Sequence, residues 1–296
     1  MKTSAIIRIA AWSFTAILLT MLLISLLTGR GVFGIPAAGL GEALGSGSLF
    51  SYENASLYNA GGSSVPAADV RRINIDWAGG SVTVMNGSGS EIRFYEAGDD
   101  SLKEEDKLHW LLSDGTLSIE PKKSSYVLPW INIGNGRDKD LVIELPEGCA
   151  LESLSLECTS ARCSVSGLSA DSVSIENVSG EINFNGGDFK KGSFETVSGR
   201  MSIYGGFDEL DADTVSGTVD LSLTKCPGDL DIDSVSGAVT LAIPAESSFR
   251  ASFDSLSGEM NCGFDTRNDD GDYVCGSGAC SLDINTMSGG ISIVKN

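Results

Sequence analysis

The chain is poor in the residues from which most catalytic sites are built. Its 296 residues include one histidine, His109. That histidine sits beside Trp110 with no metal-ligand companion in its motif, and no second histidine remains for a Ser/His/Asp triad elsewhere. No phosphate-binding loop and no dinucleotide glycine pattern is present. Bases are scarce, with 20 Lys+Arg against 40 Asp+Glu. Three of the bases, Lys2, Arg8 and Arg30, flank an N-terminal apolar segment, so the remainder holds 17 bases against 40 acids. That balance excludes nucleic acid as a partner and disfavours docking on anionic lipid, since both need basic surface. Proline is rare at 7 residues, and helix-forming composition is low beyond the N-terminus, which suits an all-β body.

What is abundant is glycine, 36 residues, and much of it is spaced. Val178-Ser179-Gly180, Val197-Ser198-Gly199, Val215-Ser216-Gly217 and Val235-Ser236-Gly237 repeat one phrase. Leu256-Ser257-Gly258 and Met287-Ser288-Gly289 differ by one residue. Thr159-Ser160-Ala161 is a degenerate copy and Ala78-Gly79-Gly80 an early outlier. Between 161 and 258 the steps are 19, 19, 18, 20 and 21, the signature of a stacked repeat. Apolar residues fall seven and five positions before the glycine, as in Leu230 and Ile232, and two and four after it, as in Val239 and Leu241. Each half alternates with period two, which is strand. The inward parity changes at the glycine, so Ser-Gly marks a corner where the backbone needs positive φ or has no room for a Cβ. The fold class predicted is therefore all-β: a single-domain parallel β-solenoid of repeats about 19 residues long, two strands each. Val235 is placed in its core, so that Val235→Asp is expected to unfold it. The serine before each glycine is either a hydroxyl ladder between coils or simply a small turn residue.

The run from Leu141-Val-Ile-Glu-Leu-Pro146 to Ile284-Asn-Thr-Met-Ser-Gly-Gly-Ile-Ser-Ile293 resembles the candidate-adhesin family, a domain of unknown function. Ile73-Asn-Ile-Asp-Trp-Ala-Gly-Gly-Ser-Val-Thr-Val84 fits it as well. The resemblance implies a β-solenoid in a membrane-anchored bacterial envelope protein. It implies no catalytic residues, and this chain departs from the family pattern in its cysteine content.

Residues 1–30 read as a membrane anchor, 31–68 as a Gly/Ser-rich juxtamembrane linker, and 69–296 as the solenoid. Ile9 to Leu27 would span roughly 28 Å as a helix, close to bilayer thickness. A cleaved signal peptide is the rival, with Ala37-Ala38-Gly39 as its nearest small-residue site. Basic residues before the run, with the resemblance, put the N-terminus in the cytoplasm and the body outside the cell. Between the first corner and residue 140 the period is lost, and an atypical capping unit is expected. There Ile92–Tyr95 reads as a strand, and Leu108–Leu112 with Leu117–Ile119 as a hairpin. The apolar stretch Ser124–Ile133 is either a flap over the solenoid or a docking patch, and Trp77 and Trp110 are assigned to the core.

Four positions before the glycine stand Asp76, Glu157, Glu176, Glu195, Asp213, Asp233, Asp254 and Asn285. Stacked coils turn these into an outward acidic column, which either keeps a repetitive sheet soluble or recruits divalent cations or a cationic partner. Asn268-Asp-Asp-Gly-Asp-Tyr273 has half the look of a calcium loop, but Thr266 and Ser277 fill positions where Asp and Glu are needed, so it reads as a solvated acidic insertion. The seven cysteines leave at least one unpaired. Cys275 with Cys280, and Cys158 with Cys163, are the disulfide candidates, and an inward core role is open for Cys163 and Cys262. Zinc held by those four is a further alternative, and no cofactor is expected. Two functions remain. One is a membrane-tethered, non-catalytic binding or envelope-signalling module, with a surface polymer or envelope protein as partner. The other is a β-helix carbohydrate-active enzyme such as a polysaccharide lyase, which would need acid, Lys and Arg clustered in a groove.

Overall fold

The computed structural model describes residues 54–97, 102–122 and 139–296. The segments read as membrane anchor and as flap lie outside them. The described chain is almost wholly extended, with three single-turn helices at Ala55–Leu57, Ala67–Asp69 and Glu104–Asp106. Its strands stack in parallel as the period requires. In the first wall Ile73 lies beside Leu154, Leu154 beside Val173, Leu210 beside Leu230, and Leu230 beside Leu282. In the second wall Val82 lies beside Cys163, Cys163 beside Ile182, Met201 beside Val219, and Val219 beside Val239. Bonding continues around the corners, so Ser169–Thr214 is one extended path of 46 residues through both walls. The inward residues of the two walls meet in a dry core. At its centre Phe184, Phe189, Phe194 and Phe207 pack with ring centroids 5.2 to 6.0 Å apart.

The corner glycines are explained by crowding. A Cβ on Gly199 would lie 2.0 Å from the carbonyl oxygen of Gly180 in the next coil. On Gly217, Gly237 and Gly289 the same approach to the oxygen of the glycine stacked beside it, Gly199, Gly217 and Gly237 in turn, is 2.3, 1.9 and 2.1 Å. Among the repeat glycines from 180 to 289, only Gly180 has φ in the left-handed range, at 145°. The glycine is there because coils touch backbone to backbone at this edge. The serines before them form a ladder. The Ser216 backbone N–H donates to Val197 O at 2.9 Å and its hydroxyl to the same oxygen at 3.3 Å. Ser160, Ser179, Ser236 and Ser257 bond the coil beside them in the same way.

The core assignment of Val235 is corrected. It is half-buried, and Leu256 at the equivalent place is 76% exposed. The inward position is one residue earlier and is filled by small polar groups: Asn177, Thr196, Thr214, Ser234 and Thr286, all buried. Asn177 donates its amide to Ala161 O at 2.8 Å, and Thr214 Oγ1 occupies the space a Cβ on Gly217 would need. The valine is displaced because the chain has already begun to turn.

The order of coils differs from the order of the sequence at both ends. Cys280–Ser288 lies between Asp229–Ser236 and Phe249–Ser255, so the 289 corner is inserted between the 237 and 258 corners. Thr116–Glu120 and Lys139–Pro146 likewise stack outside Arg72–Trp77 and Gly80–Gly87, and Ala150–Cys158 returns on the inner side. Antiparallel pairs then close the ends. His109–Ser113 pairs with Thr116–Glu120, Glu91–Ala97 with Lys139–Pro146, and Asp272–Cys275 with Phe249–Ser255. Such caps shield strand edges that a parallel stack leaves open. Part of the stretch read as linker belongs to this cap, because Asn59–Ala60 and Ser63–Pro66 pair there and Val65 is buried. The inserted coil is directly testable. Ser236 and Ser288 are register partners, about 4.8 Å apart, within the Cα range of a disulfide. A Ser236→Cys, Ser288→Cys chain is expected to crosslink under mild oxidation. A Ser236→Cys, Ser257→Cys chain is not, and the reverse result would restore sequential stacking.

Candidate functional site

The first wall carries the acidic column outward. Asp76 is register partner of Glu157, Glu157 of Glu176, Asp213 of Asp233, Asp233 of Asn285 and Asn285 of Asp254. The structure adds one carboxyl that the sequence pattern missed. Ile75 pairs with Ile119, so Glu120 follows as the neighbour of Asp76 and heads the column. The signal was present, since Leu117-Ser-Ile-Glu120 copies the spacing of Ile73-Asn-Ile-Asp76 without a Ser-Gly after it. A second acidic file, Asp211, Asp231 and Asp283, runs beside the column in the later coils.

Crowding these groups makes them reluctant to ionise. Burial, then the Asp76 charge and the hydrogen bond it shares, push Glu120 up to about 8. Burial, then Asp233 and Glu195, push Asp213 up to about 7. Burial and the flanking Asp233 and Asp283 push Asp231 up to about 6. Asp76, Glu157, Glu176 and Glu195 are raised too, each chiefly by burial. The side chains stand in a file. Among the described residues no three acidic, histidine or cysteine groups converge closely enough to hold a metal ion.

The second wall presents different chemistry. A shallow groove of about 510 Å³ runs across its outer face. One file of its lining is Ser164, Asn183, Ser202, Asp220 and Thr240, and the next is Ser166, Asn185, Tyr204, Ser222 and Ala242. Tyr204 is 49% exposed. The charges on this face are paired across neighbouring coils, Arg162 with Glu181 and Arg200 with Asp220, each at 3.3 Å. Asp220 is the one charged residue of the groove's lining, and Arg200 balances it.

The remaining sequence candidates have structural places. His109 is buried in the cap with Nδ1 donating to Lys107 O at 2.9 Å. The stretch compared with a calcium loop is a β-hairpin, Arg267–Asp269 with Asp272–Cys275, turning through Asp270 and Gly271 at positive φ. Arg250 holds its acids, at 2.6 Å to Asp269 and 3.1 Å to Asp272. All seven cysteines are free thiols. Cys158 and Cys163 do face one another, with sulfurs 3.3 Å apart in the core, and this contact followed by burial raises the Cys158 thiol strongly. Cys275 and Cys280 are not neighbours, because Phe249 pairs with both and stands between them. Two strand spacings, about 10 Å, exceed the reach of a disulfide. Cys280 lies instead against Cys226, whose thiol burial and that contact push up to about 12.

The repeat register and corner chemistry define a curled β repeat fold, and a family model agrees. The Toastrack DUF4097 model matches residues 70–206 and again 149–294, so the chain belongs to that family. Solved structures share the likeness at a distance. A candidate adhesin from Bacteroides fragilis is 12% identical, with a TM-score of 0.40, over 79% of this chain and 96% of that one. A candidate adhesin from Parabacteroides merdae is 9% identical, with a TM-score of 0.41, over 79% and 95%. A candidate lipid-binding protein from Parabacteroides distasonis is 12% identical, with a TM-score of 0.40, over 80% and 97%. No curated protein matches the chain.

Proposed function

We propose that this chain is a non-catalytic binding module, tethered by Ile9–Leu27 with its solenoid outside the cell, and that the second wall is its binding face. The observation that carries this is the asymmetry between the walls. One wall is a self-repelling acidic surface, and the other is a charge-balanced groove with an exposed aromatic ring. Binding surfaces are marked by such rings among a few polar groups and by depleted charge. Membership of the Toastrack family supports the same reading. The groove is a poor fit for the lyase alternative, since its lining holds no lysine or arginine, and the arginines of the same wall, Arg162 and Arg200, are engaged with Glu181 and Asp220. A photo-reactive residue at position 185, in the groove, tests the proposal against one at position 174, on the acidic wall. In the native membrane, light-dependent adducts are expected from 185 and not from 174. Equal labelling, or none from 185, refutes the assignment of the wall.

A further inference from the structure

Resting on that assignment of the second wall, we propose that the groove binds a linear, uncharged glycan chain. Tyr204 is the platform for a sugar ring, and Asn183 and Asn185 bond its hydroxyls. Three observations select this chemistry.

The first is charge. A chain of formal charge −20 keeps this strip balanced through Arg162–Glu181 and Arg200–Asp220. An anionic polymer would be repelled by the protein as a whole. A cationic one would be drawn to the acidic wall.

The second is the kind of donor and acceptor offered. The backbone N–H and C=O groups of this wall are engaged with neighbouring coils, as in the ladder from Cys163 through Ile182 and from Met201 through Val219 to Val239. An extended peptide cannot add to them as a strand, so recognition falls to side chains. Those side chains are short hydroxyls and amides. Among the described residues, Asn183, Asn185 and Tyr204 spend no side-chain group on a partner within the protein. An amide that both donates and accepts suits a vicinal diol, and an exposed phenol ring suits the apolar C–H face of a pyranose.

The third is periodicity. Ser202 is register partner of Asp220, and Asp220 of Thr240, so equivalent side chains recur at about 4.8 Å. That spacing is close to the length of one sugar unit in an extended β-linked chain. Successive units of a polymer lying along the stack would meet the same file of groups at each coil. Many weak contacts of this kind add through linkage.

The full chain in lipid nanodiscs, titrated by calorimetry with cellohexaose and chitohexaose, tests this against an oligogalacturonate hexamer as the anionic control. At least one neutral hexamer is expected to bind saturably with Kd below about 1 mM. Tyr204→Ala should weaken it roughly tenfold or more, and Tyr204→Phe should leave it nearly unchanged. Asn185→Ala should weaken it several-fold. The melting temperature of each variant shows that it is folded, since both side chains, Tyr204 and Asn185, lie outside the core. Binding untouched by Tyr204→Ala, equal binding of the anionic hexamer, or no saturable binding of either neutral hexamer overturns the glycan assignment. If the neutral hexamers fail while position 185 still labels a partner in the membrane, the second wall remains the binding face and only its ligand class is wrong. If both fail, both readings fall.

Discussion

The protein is expected to become more stable as the solution is made mildly acidic, the opposite of most domains between pH 8 and pH 5. Glu120, Asp213 and Asp231 hold their protons to about 8, 7 and 6 in the fold, against ordinary values of 4.5, 3.8 and 3.8. A raised value in the folded state means that folding takes up protons. The stabilisation is complete below the ordinary carboxylate range. It is lost as the pH rises through the folded values, so the window runs from about 4 to about 8. Each tenfold preference for the protonated form is worth about 1.4 kcal/mol, and groups that still touch water realise only a fraction. A total of about 3 kcal/mol between pH 8 and pH 5 is expected, which for a body of this size raises Tm by roughly 6–12 °C. Glu120→Gln keeps a donor toward Asp76 and removes the ionisation. Combined with Asp213→Asn, it should raise Tm at pH 8 and flatten the slope. A Tm that falls on acidification across this window, in thermal melts followed by circular dichroism, rules the account out.

The second large effect is expected at a corner. Gly237→Ala places a Cβ 1.9 Å from the Gly217 carbonyl oxygen. The obstacle is backbone, held by bonds such as Ser236 N–H to Val215 O at 2.9 Å, so it cannot swing aside as a side chain would. Overpacking of this sort costs about 3 kcal/mol or more, and Tm should drop by roughly 6–12 °C. Val235→Asp, two residues away, is expected to cost less than about 1 kcal/mol, because the valine is only half-buried. The contrast separates the two explanations of the Val-Ser-Gly phrase. If Val235→Asp unfolds the protein and Gly237→Ala melts like the wild type, the valine carries the repeat and the close approach of coils does not.

The sequence by itself determined the alternation of inward residues, the corner, the stacking of like on like and the acidic column. All of these follow from local rules. Period two places Leu230 and Ile232 on one face, and repetition places Leu210 beside Leu230. The Leu108–Leu112 and Leu117–Ile119 hairpin was equally legible, since Asp114 and Gly115 supply the positive φ that a tight turn needs. Only the tertiary structure decided the rest. The insertion of Cys280–Ser288 between two earlier coils depends on which strand best fills an edge already formed, a choice between segments distant in sequence and alike in pattern. It also separated Cys275 from Cys280, which sequence proximity had joined. The buried polar row from Asn177 to Thr286 was hidden because serine and threonine read as turn residues until the space beside each glycine is known. The reluctance of the column to ionise, and the neutrality of the opposite groove, come from neighbours in adjacent coils. Charge and hydration are set by what stands one strand away, and the chain names that neighbour only once it has stacked.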